Sequence, residues 1–92
     1  MENRKSLNYD ELNFECRDAV ELYEMNGRWY DDIRETILGI KNPKEIVLSC
    51  LIDNLAEYYH AMEKAKETLL EYGFTSRDIT NLTFQYVEKC HQ

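Results

Sequence analysis

Six carboxylates fall within fifteen residues near the start of this chain: Asp10, Glu11, Glu15, Asp18, Glu21 and Glu24, with Arg17 the only base among them. No catalytic or cofactor motif accompanies them. Packed at helical spacing they do something else: they set up a negative field that steers and matches Lys and Arg on another molecule. Phe14, Leu22 and Met25 stand among these acids and lie outside the apolar arc of the same segment. Apolar groups within a carboxylate field supply the burial that charge alone does not provide at an interface. The expected partner-binding set is therefore Glu11, Phe14, Glu15, Asp18, Glu21, Leu22 and Met25, extended by Asp31, Asp32 and Glu35 if the next segment folds beside the first. The competing reading is a solvated face whose apolar members pack under another helix.

Other candidate chemistry is thin. Glu57 and His60 have the E-x-x-H spacing of helical carboxylate-bridged metal sites, but such a site needs a second pair and further carboxylates. Cys90 and His91 lack zinc-site partners at finger or ribbon spacing. Ser6 and Ser76 sit near helix starts, Ser49 has no base nearby, and three glycines make no phosphate loop. The expectation is no enzyme, no metal and no cofactor.

The elements that position these residues read as four helices. Asn8 is a candidate cap with Glu11 three residues on and a Leu7–Leu12 staple, opening a helix over 8–26 that Gly27 would stop. A second helix is expected over 29–40, with Trp29, Tyr30, Ile33, Ile37 and Ile40 on one face. The third is the longest, over 43–72. Asn42, Pro43 and Glu45 open it, and Leu48, Leu51, Leu55, Tyr58, Met62, Ala65, Leu69 and Tyr72 recur in alternating steps of three and four. A helix of about thirty residues is roughly 45 Å long, against a body about 30 Å across for a compact chain of this size. Its first half, widened by Ile52 and Tyr59, is expected to be core. Its second half is a narrow stripe between charged flanks, which makes Met62, Ala65, Leu69 and Tyr72 the expected self-association seam of a helical homodimer. Gly73 ends this helix, and Thr75 with Asp78 caps a fourth over 76–90. The fold class expected is thus all-α, a four-helix single domain covering residues 1–92.

Composition bounds the rest. Ninety-two residues at 43% hydrophobic, 32% charged and net charge −7 describe a folded acidic chain, which opposes contact with nucleic acid or anionic membrane. Three cysteines (Cys16, Cys50 and Cys90) with no close pair point to reduced thiols and a cytoplasmic setting. No signal-peptide core and no spanning apolar run are legible.

Two resemblances bear on function. The run Gly73-Phe74-Thr75-Ser76-Arg77-Asp78-Ile79 is similar to the turn of helix-turn-helix DNA-binding proteins, over about a dozen residues. Leu69 stands where such motifs need a small residue, and the last helix sets only Arg77 and Lys89 against Asp78 and Glu88. In size, charge and composition, the whole chain looks like the inhibitors encoded by phages and mobile elements, including anti-CRISPR and DNA-mimic proteins. That likeness implies occlusion of a basic, phosphate-binding surface on a host protein. The alternative is a dimeric helical adaptor or a small transcription regulator.

Overall fold

A computed structural model describes residues 8–42 and 44–91. Among them the chain is all-helical, with three α-helices rather than four: α1 (Phe14–Gly39), α2 (Glu45–Glu71) and α3 (Ser76–Cys90), preceded by a single 3-10 turn, Tyr9–Glu11. The two segments expected at 8–26 and 29–40 are parts of one helix. Gly27 does not stop it.

The reason lies across the helix pair. The step pattern of three and four does not end at Gly27 but runs on through Cys16, Ala19, Tyr23, Asn26, Tyr30, Ile33, Ile37 and Ile40. That stripe faces the one on α2, and the two pair as an antiparallel hairpin. Asn26, which with Gly27 resembled a stop, is buried and donates from Nδ2 to the Leu22 carbonyl at 2.8 Å. Arg28 reaches back over the glycine to Glu24 at 2.6 Å. A Cβ at Gly27 would stand 3.3 Å from Met62 Cε, so its missing side chain serves close approach of α1 and α2. Of the three glycines only Gly73 has a positive φ, at 94°.

This contrast has a measurable consequence. Replacing Gly27 with Ala gains up to about 1 kcal/mol of helix propensity, against a small displacement of the flexible Met62 terminus. We expect Gly27→Ala to be neutral or stabilising in urea denaturation, and Gly73→Ala to destabilise by about 1 kcal/mol.

The opening also differs from expectation. Asn8 does cap, accepting from the Asp10 N–H at 3.0 Å, but what it caps is the 3-10 turn. Leu12 is extended, and Asn13 starts α1 by accepting from the Cys16 N–H at 2.8 Å. Leu7, the expected staple, lies outside the described residues, as does Pro43. The long helix begins at Glu45 and has 27 residues rather than thirty, with no side-chain cap at Lys44.

Its other end is closed by backbone. Gly73 N–H bonds to the Leu70 carbonyl at 2.9 Å and Phe74 N–H to the Leu69 carbonyl at 3.1 Å, the paired bonds of a Schellman motif. Thr75 and Asp78 then exchange side-chain and backbone bonds in a capping box that opens α3.

The core gathers at one end. Tyr9, Leu12, Cys16, Ala19, Val20, Ala65, Leu69, Phe74, Ile79 and Leu82 are buried together, with Tyr23 and Tyr86 packed against them. Among the described residues none between Asn26 and Ala65 is buried. The hairpin therefore projects as an arm, held by Trp29 against Tyr58 (ring centroids 5.5 Å) and Tyr30 against Tyr59 (5.8 Å). The halves of α2 are thus reversed from expectation: the wide first half is arm and the narrow second half is core.

Candidate protein-interaction surface

At the core end, α1 and α2 leave an open groove between them of about 480 Å³. Its floor is small, with Ala19, Ala61 and Ala65 from the facing stripes and their margins. Its walls are acidic. Glu15 and Asp18 stand on the α1 side, Glu67 and Glu71 on the α2 side, with Lys64 the single base and Leu22 and Thr68 completing the lining. Pairing heptad stripes explains the floor, since residues beside a two-helix seam sit where the two backbones diverge and short side chains leave space.

At one end of the groove the Tyr72 hydroxyl donates to the Glu15 carboxylate, and that bond holds the phenol above its ordinary pKa. The bond ties the end of α2 to the start of α1. Phe14, the first residue of α1, is 84% exposed, and Leu22 is exposed as well.

The structure divides the residues expected at a partner surface. Glu15, Asp18 and Leu22 line the groove, and Phe14 lies on the same face of α1 by helical position. Met25 is half-buried. Glu21 is half-buried too, and its carboxylate accepts the Tyr9 hydroxyl at 2.6 Å, which turns it to a structural task. Glu11 belongs to the 3-10 turn rather than to α1. Asp31, Asp32 and Glu35 are exposed along the arm and outside the groove. Sequence reasoning missed Lys64, Glu67, Thr68 and Glu71 as wall residues. Ala61, Ala65 and Thr68, small and spaced by four and three, were the available signal.

Most of the expected seam is withdrawn from the surface. Leu69 is 0% exposed and Ala65 is buried under the chain's own helices, Met62 is half-buried against Gly27, and Tyr72 is exposed but bonded to Glu15. Intramolecular packing has used the narrow stripe that charged flanks made look like a dimer contact.

A second polar cluster locks the 3-10 turn onto the body. Tyr9 N–H donates to Gln85 Oε1 at 2.8 Å, its ring lies 5.5 Å from that of Tyr86, and the Arg17 guanidinium stands 5.7 Å over it. Asp10 pairs with Lys89, and Arg17 donates to the Asp10 carbonyl at 3.0 Å. Burial, then the bond to Glu21, pushes the Tyr9 phenol well above its usual pKa. A bond to Cys90, with burial, pushes Tyr86 up to about 12. These are shifts away from reactivity at neutral pH.

Cys16 is buried, and burial raises its thiol; Cys50 and Cys90 are exposed and unbridged. Glu57 and His60 are exposed on α2, and no group of three or more metal-ligating side chains occurs among the described residues. No helix among them is long and apolar enough to cross a membrane. No family model, curated protein or solved structure matches the chain.

Proposed function

We propose that this protein is a small, acidic, non-enzymatic interaction module, whose α1–α2 groove receives a basic and partly apolar segment of another protein. The observation that carries this reading is the groove itself: four carboxylates facing one lysine above an alanine floor, with Leu22 in its lining. Carboxylates on two helices present a negative strip to Lys and Arg, while the short floor admits their aliphatic stems. Phe14 is the apolar anchor at the groove's edge.

The chemistry fits a partner that normally holds nucleic-acid phosphates, because the same Lys and Arg recognise phosphate and carboxylate. The module then acts by occlusion, in the manner of the phage-borne anti-CRISPR and DNA-mimic inhibitors that it resembles in size and charge. Direct DNA binding through α3 is disfavoured by geometry as well as by charge. Lys89 is paired with Asp10, leaving Arg77 beside Asp78.

The test is a titration followed by NMR, using an amphipathic Lys/Arg/Leu peptide as the probe. Amide shifts are expected at Ala19, Ala61 and Ala65, with affinity falling as salt rises. The Glu15→Lys, Asp18→Lys, Glu71→Lys variant, altered only at exposed positions, should lose at least tenfold in affinity and keep its helicity. Shifts confined to other regions, or an unchanged affinity in the variant, would overturn the reading. So would a gel shift of duplex DNA at near-physiological salt.

A further inference from the structure

The arm carries a second surface, apolar where the groove is charged. Beside the pairing line, Tyr30 of α1 and Ile52, Leu55, Ala56 and Tyr59 of α2 surround an open apolar depression of about 280 Å³. Ile52 and Tyr59 lie two turns apart on α2 and are 49% and 52% exposed. Two helices can cover each other on one side only. A second layer is what closes such stripes in a bundle.

Charge identifies that layer. The arm, residues 27–64, holds five bases (Arg28, Arg34, Lys41, Lys44 and Lys64) and seven acids (Asp31, Asp32, Glu35, Glu45, Asp53, Glu57 and Glu63), so it carries −2 of the chain's −7. The remaining −5 is the net charge of residues 10–24 alone, at the core end, where two copies would repel. On the arm a second copy meets a much weaker opposing field than it would there. A basic partner, by contrast, is drawn to the other end.

Shape agrees. Ile52 and Tyr59, half exposed, line the hollow itself, so the same apolar patch is available on each copy for a contact about a two-fold axis, as an isologous interface requires. About fourteen residues of each helix give a face roughly 21 Å long and about 20 Å wide, or some ~800 Å² of flat area for two copies. Side-chain relief brings that to the order of ~1,000 Å² expected of a specific interface.

We infer that the protein forms a two-fold homodimer through the arm, with Tyr30, Ile52, Ala56 and Tyr59 of each copy seated on the same patch of the other to close a four-helix bundle. Both acidic grooves stay outside this contact, so the dimer does not depend on what the grooves bind.

Light scattering on the full chain tests it. At about 100 µM, well above a ~1 µM dissociation constant, the mass should be twice the 11.0 kDa of one chain. Ile52→Glu should halve the mass with helical ellipticity unchanged, because the side chain is already half exposed. Phe84→Glu, at an exposed apolar position on α3, should leave the doubled mass intact. A wild-type mass of one chain at this concentration overturns the inference, and so does a doubled mass in Ile52→Glu.

Discussion

Leu69→Asp should unfold the protein. Leu69 has no accessible surface, and it packs within the cluster that joins α1, α2 and α3. A carboxylate there has no cationic partner in that cluster, and an uncompensated buried charge costs several kcal/mol. A domain of this size holds only about 5–10 kcal/mol in reserve. Leu69→Ala leaves a cavity instead of a charge and should cost about 3 kcal/mol, lowering the melting point while preserving a cooperative transition. Circular dichroism melts on both variants decide the matter. A Leu69→Asp protein that melts like wild type, or that stays folded and merely changes its mass in solution, would return this residue to the surface. Leu55 makes the useful contrast. It is only half-buried, on the arm, so Leu55→Asp should loosen the hairpin locally and spare the core.

Raising the pH should weaken the fold, and Tyr9 should account for a resolvable part of the loss. Its phenol is raised by burial and by its bond to Glu21, so the folded state favours the protonated form. A group whose pKa is higher folded than unfolded contributes fully below its unfolded value, near 10 for tyrosine, and that contribution disappears as pH rises towards the folded value. Tyr86, pushed up to about 12, adds in the same direction, and Cys16 begins the loss at lower pH because its thiol is also raised. The variant Tyr9→Phe separates the contributions. At pH 7 it should be less stable than wild type by about 1 kcal/mol, the net worth of one hydrogen bond. By pH 11 the difference should shrink or change sign, because the phenol then ionises freely in the unfolded chain while the folded state still holds it protonated against Glu21. Urea denaturation at the two pH values measures it, and a constant difference would show that Tyr9 does not titrate against folding.

What the sequence made legible was whatever a few neighbouring residues encode. Gly73 needs a positive φ, Thr75 and Asp78 bond each other across three residues, and both features belong to the same short turn. Gly27 was misread because its role is settled by Met62, thirty-five positions away. Read locally, Asn26 and Gly27 look like a helix end; read against α2, they are the point where two helices come closest. Asn8 is legible as a cap but not for the element expected: the extended Leu12 leaves it to the 3-10 turn, and Asn13, which sequence reasoning missed, opens α1. The candidate site divided in the same way. Glu15, Asp18 and Leu22 share a face of α1 that helical periodicity locates. The α2 wall depends on which stripe of α2 meets α1, and that register is a tertiary fact. The two halves of the long helix exchanged roles for a related reason. Stripe width measures how much apolar surface a helix has, whereas burial depends on whether a third element, here α3 with the 3-10 turn, arrives to cover it.

The proportions of the molecule carry one practical consequence. It measures 60 × 29 × 20 Å with a radius of gyration of 16.0 Å, where a compact chain of this length would have about 12 Å. An elongated particle drags more solvent than a sphere of equal mass. A single copy should therefore leave a gel-filtration column early and diffuse like a heavier globular protein, mimicking a dimer on any scale calibrated with spheres.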